Sequence, residues 1–378
     1  MHKFSLIRRV ESLLITSLLL TSGFQVVAAE SVLETIYPRL QQLLLAHEVV
    51  QARAYEEMSI TNDSPTAAIG QRVLLEELQE LAESAGSHYH SAGDHSAMLG
   101  PHRVFESRAT PGLLGEIREE HEVDDVSTAL ADNGNLPELA VDALQLGRQF
   151  VEQILEVYLD PRFEDKTAAV NQIVEEYLAA EMLSVASSPK SDELLSDHPY
   201  AYAYKVGFPQ LSGLTWASHW LKIAVLEIVV SSNSAEERDR DIELAMDLYE
   251  EKLIRLHGSF VSLPSDIPTF PVVAPNFYSK HPEAAYIIDN LEILKVVIGD
   301  VLAHPKVEAS DELVLEMLAA YTDKQNDIAP ISDYLLYVLR GGIYSAGGPA
   351  RGGMDAPDRN WSRERSENPH ISVGRTTL

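Results

Sequence analysis

Histidine clusters in one short stretch of this sequence, and imidazole is the commonest protein ligand for metal ions. Four of the 13 histidines lie within fifteen residues. Imidazole suits zinc, copper and nickel, and a chain without cysteine must bind such metals through His, carboxylate, Met or backbone oxygen. The stretch therefore predicts either a metal site or a polar loop in which histidine is incidental. The candidate ligands are His88, His90, His95 and His102.

Polar residues also interrupt the apolar faces of predicted helices, where each one needs a partner. Carboxylates and histidines that project inward from several helices build the metal sites of helical-bundle cores. A buried carboxylate also acquires a raised pKa and can serve as a general acid or base. The alternative is a polar network with a purely structural role. The candidate metal ligands in this set are His47, Glu48, Glu181 and Glu283.

The stretch Thr215–Val230 is the most continuously apolar part of the chain after its first 29 residues. It is shorter than the roughly 20 apolar residues that cross a bilayer, and a helix that is apolar nearly all round is typical of a buried core. We therefore predict that it is the central helix of a soluble domain. His219 and Glu227 lie on one side of this helix and are the candidate catalytic pair.

No named catalytic or cofactor motif is present. The sequence lacks the His-Glu-x-x-His metal motif, the nucleophile elbow, the phosphate loop and the dinucleotide fingerprint, so we expect no nucleotide cofactor. The absence of cysteine excludes disulfides, thiol catalysis and covalent haem attachment. The paired Glu-x-x-His signature of di-iron bundles is also missing. The cofactors that remain are divalent metals: zinc, copper, nickel or iron.

Net charge restricts the class of partner. The 378-residue chain has 58 acidic and 29 basic residues, which gives a formal charge of −29. Binding to nucleic acid requires a basic face that meets the phosphates, so we expect no nucleic-acid partner. The same excess of acid disfavours anionic membrane surfaces.

The first 29 residues have the three parts of a secretory signal peptide. A basic segment with Lys3, Arg8 and Arg9 precedes the apolar run Leu13–Leu20, and small residues end at Ala29. We expect cleavage after Ala28 or Ala29, export to a bacterial periplasm and no stable membrane insertion afterwards. An uncleaved membrane anchor is the alternative.

Apolar residues recur with a helical period, and no segment alternates with period two, so the predicted class is all-α. We expect a bundle of roughly eight or nine helices, a single domain over 30–340 with a sub-boundary near 130–136, and a flexible tail rich in glycine and arginine over 341–378. A proline-rich connector covers 259–280. The predicted helices cover about 30–60, 69–84, 137–159, 166–186, 215–230, 235–257, 282–304, 311–324 and 331–339.

These observations predict an exported helical-bundle protein that binds a metal ion or a small ligand through His and carboxylate side chains. Two alternatives stay open. One is a non-catalytic periplasmic interaction or structural protein, whose buried polar groups only stabilise the fold. The other is a metal-independent enzyme that uses a buried Glu with His219 as an acid–base pair.

Overall fold

The computed structural model describes residues 31–84, 100–132, 136–258 and 267–340, together with Gly348, Ala350 and Arg351. Of these residues, 76% lie in sixteen α-helices and none lies in a strand. The all-α class is therefore confirmed for the described part of the chain. The helix count exceeds the predicted eight or nine partly because five of the helices have six residues or fewer.

Proline occupies the first turn of several helices, where its missing N–H has no intrahelical partner to lose. Pro38, Pro209 and Pro282 begin the three helices at the centre of the fold in this way. The helices are α1 Val32–Ile36, α2 Pro38–Asp63, α3 Ala68–Ser84, α4 Arg103–Glu116, α5 Val123–Asp132, α6 Glu138–Leu159, α7 Lys166–Leu178, α8 Glu193–Ser196, α9 Ala203–Gly207, α10 Pro209–Ser231, α11 Ala235–Gly258, α12 Phe270–Val273, α13 Pro275–Lys280, α14 Pro282–Ala303, α15 Ser310–Thr322 and α16 Ile331–Arg340. A 3₁₀ turn, Pro65–Ala67, precedes α3.

Helices α2, α10 and α14 form the centre of the fold, and α2 packs on both of the others. Helix α10 buries 18 of its 23 residues, so the apolar stretch Thr215–Val230 is a buried core helix as predicted. By length and composition α10 is also the one described helix that could cross a membrane, a test that core helices of soluble proteins pass as well. Here 94% of its most apolar 18-residue window is buried inside the fold.

Several predicted boundaries differ from the structure. The helix expected over 166–186 ends at Leu178, and Glu181 lies in the turn that follows, where it is exposed. No helix is predicted between 84 and 137, but the structure places α4 and α5 in this stretch. Helix α4 carries Pro111, Gly112 and Gly115, residues with low helix propensity that obscure its pattern. Within the proline-rich connector, where the sequence predicts no helix, the structure has the short helices α12 and α13.

Three residues of the predicted flexible tail lie against the helices. The Trp220 indole donates to the Gly348 carbonyl at 3.1 Å, and the Ala350 amide donates to the Val273 carbonyl at 3.3 Å. Ala350 is buried, so this part of the predicted flexible tail is held against the helices. The predicted signal peptide and the rest of the tail lie outside the described residues.

Candidate functional site

Six ionisable side chains meet where α2, α10 and α14 pack together. Three of them lie on α14 and are spaced three residues apart. Two lie on α10, also three residues apart, so each set lies on one side of its helix. Five of the six are at most 9% exposed and the sixth is 12% exposed. We call this group the central cluster: Glu48 on α2, His219 and Lys222 on α10, and Asp289, Glu292 and Lys295 on α14.

Glu48 is held as an anion by two lysines. The Lys295 ammonium donates to both carboxylate oxygens at 2.8 and 2.9 Å, and the Lys222 ammonium lies 3.6 Å from one of them. Burial alone would raise the pKa of Glu48, but the charges of Lys295 and Lys222 lower it to about 2. Both oxygens of this predicted metal ligand are therefore engaged by an ammonium group. Glu48, a polar residue that interrupts an apolar helix face in the sequence, is therefore part of a buried ion pair.

His219 lies between two carboxylates from α14. Its Nε2 is 3.7 Å from Asp289 Oδ1, and its Nδ1 is 3.4 Å from Glu292 Oε2. Burial lowers the pKa of His219 to about 4, and burial raises the pKa of both Asp289 and Glu292. A neutral imidazole has one N–H, so it can donate to one carboxylate only, and the other acid must be protonated to bond to the ring. We call these three residues the imidazole–carboxylate triad.

The triad contains unsatisfied polar atoms. Neither ring nitrogen of His219 has a hydrogen-bond partner among the described residues, and neither does Asp289 Oδ1. Most buried polar atoms in proteins are paired, so such atoms mark places where a water, an ion or a ligand atom fits. The triad therefore differs from the Glu48–Lys295 pair, whose charged atoms bond directly to each other.

Asp289 is anchored on its other side. The Tyr334 hydroxyl of α16 donates to Asp289 Oδ2 at 2.5 Å, and the Phe270 amide at the start of α12 donates to the same oxygen at 3.4 Å. The Tyr334 ring packs edge-on against Tyr286, 5.3 Å away between centroids. One carboxylate oxygen is thus fixed by the surrounding helices while the other faces His219.

Glu227 does not join His219. Its carboxylate accepts from the backbone amides of Asn276 and Phe277 at 3.0 and 2.9 Å, and from the Asn276 side chain at 2.6 Å. These amides belong to the first turn of α13, so Glu227 caps that helix. The predicted catalytic pair is therefore not brought together, and Asp289 and Glu292 occupy the place beside His219 that the sequence assigns to Glu227.

The remaining predicted ligands are scattered. His47 packs edge-on against Tyr249, and burial lowers its pKa to about 3. His102 stacks on Phe208 with ring centroids 4.8 Å apart, and burial lowers its pKa to about 4. Glu181 and Glu283 are exposed rather than inward-facing, and His88, His90 and His95 lie outside the described residues. Within the ranges that the structure describes, no three His or carboxylate residues are grouped so that they could hold one metal ion.

A buried acid outside the central cluster, Glu106, is not among the residues predicted from the sequence. Glu106 on α4 accepts the Gln210 and Leu211 amides at 2.9 and 3.1 Å on one oxygen, at the start of α10. Its other oxygen has no partner in the described part of the chain. Burial raises the pKa of Glu106 to about 8, which the two amide bonds only partly oppose. Glu106 is therefore protonated at neutral pH.

Asp289, Glu292 and Lys295 are not among the predicted site residues, although their three-residue spacing places neighbouring members close together on the helix. Comparison with family models, curated proteins and solved structures finds no match to this chain. The inference about function therefore rests on the geometry of the triad.

Proposed function

We propose that this protein binds a small polar ligand at the imidazole–carboxylate triad and exchanges a proton with it. The observation that supports this most is the set of buried polar atoms without partners: both ring nitrogens of His219 and Asp289 Oδ1. An unsatisfied buried polar atom costs about 1–3 kcal/mol. A ligand atom that bonds to His219 and Asp289 would remove that cost, and this gain would contribute to its affinity.

The proton chemistry follows from the environment of each group. His219 is neutral at pH 7 because burial lowers its pKa to about 4, so an unprotonated ring nitrogen is available as a base. Asp289 and Glu292 have raised pKa values, which favours a carboxylic acid that can return a proton. This arrangement corresponds to the metal-independent acid–base alternative, with Asp289 and Glu292 in place of Glu227.

A ligand reaches the triad only if a helix moves, since His219 is 0% exposed. Among the neighbours of the triad, Tyr334 belongs to α16, the last long helix described, and its hydroxyl covers Asp289. Two large apolar side chains of α16, Ile331 and Leu336, already face solvent. We therefore expect displacement of α16 to open the route.

A divalent metal is the second candidate occupant. His219 Nε2 and Asp289 Oδ1 face each other without partners at 3.7 Å, and Glu292 faces the opposite ring nitrogen, as carboxylates behind metal-bound histidines do. However, the described residues supply only these two ligands, whereas catalytic zinc sites use about three protein ligands. The geometry therefore favours the metal-free proposal.

Metal analysis separates the two candidates. Protein purified without a His tag should contain far less than one equivalent of zinc, copper, nickel or iron, and its melting temperature should not respond to these ions. One equivalent of bound metal in the wild type that is absent from His219→Ala would contradict the metal-free proposal and indicate a metal site.

A thermal-shift screen of small polar compounds tests the site itself. A compound that binds the triad should stabilise the wild type but lose most of its effect in Asp289→Asn, with each shift measured from the variant's own baseline. Glu106→Gln is the matched control, because it also converts a buried acid to an amide and should keep the shift. Compounds that stabilise Asp289→Asn as much as the wild type would place the ligand elsewhere. An absence of stabilising compounds would favour a structural network.

A further inference from the structure

A second place in the fold has the chemistry of a binding site. An open cleft of about 740 Å³ lies at the carboxyl end of α10, and its walls also come from the ends of α6 and α13 and the starts of α7 and α11. Small-ligand pockets range over about 300–1,000 Å³. The residues that line the cleft differ from those of the triad. His219 lies in the middle of α10, whereas the cleft lies at its carboxyl end.

Three cationic side chains from three helices line this cleft: Lys166, Arg238 and Lys280. Two carboxylates, Glu164 and Asp165, also line it, so its formal charge is 3 − 2, or +1. The whole chain has twice as many acidic as basic residues and a charge of −29. The cleft therefore has an excess of cationic side chains although the chain as a whole is acidic. An anion bound among these cations would reduce their mutual repulsion.

The hydrogen-bond donors of these cations are not equally available. Lys166 donates to three carbonyls at the end of α6, those of Val157, Tyr158 and Asp160, at 2.8–3.3 Å, which accounts for all its ammonium protons. Lys280 donates to the Val230 carbonyl at 3.1 Å and keeps two protons.

Arg238 retains most of its donors. It uses Nε to donate to the Tyr37 hydroxyl at 2.8 Å, and the same Nε lies 3.8 Å from Asp239 Oδ1, a carboxylate that offsets part of its charge. No acceptor among the described residues takes a hydrogen from its Nη atoms. The helix starts beside it are already satisfied, because the Asp165 and Ser234 side chains cap α7 and α11. Among the cations of the cleft, the free donors therefore belong to the side chains of Arg238 and Lys280.

We infer that this cleft binds a small molecule with an oxyanion group, a carboxylate or a phosphate. The Arg238 guanidinium matches the planar fork of such a group, and a bidentate contact of this kind is among the stronger hydrogen-bonded interactions. The Lys280 ammonium supplies a second contact, and Lys166 adds positive charge without donating. Glu227 helps to position Lys280, because it caps the start of α13, the helix that ends at Lys280.

The test uses inorganic phosphate and acetate as probes, with sodium chloride keeping the ionic strength constant. Thermal unfolding and amide NMR shifts report binding to the wild type, Arg238→Gln, Lys280→Gln and a control, Arg72→Gln. Arg72 is a matched control because it is an exposed arginine on α3, outside the cleft. Each variant is compared with its own ion-free baseline, so a change in folding stability does not count as a change in binding.

We expect at least one probe to bind the wild type and Arg72→Gln with equal affinity. Loss of one charged hydrogen bond should weaken binding at least about tenfold in Arg238→Gln and Lys280→Gln. Binding of phosphate alone indicates a phosphorylated ligand, and binding of acetate alone indicates a carboxylic acid. The triad variant Asp289→Asn should bind the probe unchanged. Stabilisation no greater than that by chloride, or equal losses in Arg72→Gln and Arg238→Gln, would overturn the inference.

Discussion

Glu106 makes folding stability depend on pH. Its folded pKa of about 8 lies above the ordinary value of 4.5, so the folded protein holds a proton that the unfolded chain releases. A raised folded pKa stabilises the fold fully below the unfolded pKa, and that stabilisation is lost as pH rises toward about 8. The effect is on the order of a few kcal/mol because the carboxyl is almost wholly buried.

We predict that Glu106→Gln removes this pH dependence. The amide oxygen can still accept the Gln210 and Leu211 amides, and the side chain no longer ionises. The variant should therefore gain stability relative to the wild type as pH rises from 5 to 8, measured by urea unfolding at each pH. Glu76→Gln, at an exposed position on α3, is the control. Parallel pH profiles for the wild type and Glu106→Gln would show that Glu106 keeps no extra proton in the folded state.

The Glu48–Lys295 pair supports a second prediction at this scale. Lys295→Met leaves the buried Glu48 carboxylate with only the more distant Lys222, at 3.6 Å. Removal of one partner from a buried ion pair costs about 3–5 kcal/mol, whereas an apolar replacement of both partners is often neutral. Lys295→Met alone should therefore destabilise strongly, and the double variant Glu48→Met with Lys295→Met should recover much of the loss. Urea unfolding of the wild type, Lys295→Met, Glu48→Met and the double variant measures the coupling, and additive effects would contradict it.

At the scale of elements, Glu227 connects the central helix to the connector. It caps α13 with three hydrogen bonds, so its charge faces the positive end of a short helix. A carboxylate without such a role would be neutral or stabilising to replace by an amide. Because Glu227 caps α13, we expect its replacement by an amide to destabilise the protein instead.

We therefore predict that Glu227→Gln destabilises the protein by about 1 kcal/mol, the usual range for loss of a helix cap. Amide NMR shifts should change mainly in α13, and ligand-induced shifts at the triad should persist. Glu283→Gln serves as a control, since Glu283 is an exposed carboxylate at the start of α14. An increase in stability in Glu227→Gln would show that the charge on Glu227 does not support α13.

The helices show how far the sequence could predict the site. Glu48 and His219 were found because each interrupts an apolar run, and the structure buries both. Asp289 and Glu292 were missed because α14 is buried nearly all round, so a single apolar stripe does not define its inward face. Glu283, which the sequence assigns to the apolar face of this helix, is exposed in the structure. Which carboxylate meets His219 depends on how α10 and α14 pack, which periodicity within one helix does not encode.

At the scale of the whole molecule, charge is divided between surface and interior. The central cluster mixes three acidic groups with two lysines and a histidine, so its charges offset one another within the core. The excess acid that gives −29 is consequently carried outside this cluster. The cleft with Arg238 and Lys280 is a local exception to that acidic surface, which is why an anion could be attracted there.

Arg351 joins parts of the molecule that lie far apart in sequence. It pairs with Glu237 and with Asp241 near the start of α11, and it donates to the Ser231 carbonyl at the end of α10 at 3.0 Å. Since the Ala350 amide also donates to the carbonyl of Val273, the last residue of α12, this segment connects three helices. Part of the predicted flexible tail therefore contributes to the cohesion of the fold.

We predict that truncation after Arg340 lowers the free energy of unfolding by about 2 kcal/mol relative to truncation after Arg351, because it removes several partly buried charged hydrogen bonds. Urea unfolding of the two truncated proteins gives the difference directly. Arg351→Gln in the full chain should reproduce part of the loss, and that part should shrink in high salt, since partly exposed ion pairs are screened. If the two truncated proteins unfold at the same urea concentration, residues 341–351 add no stability.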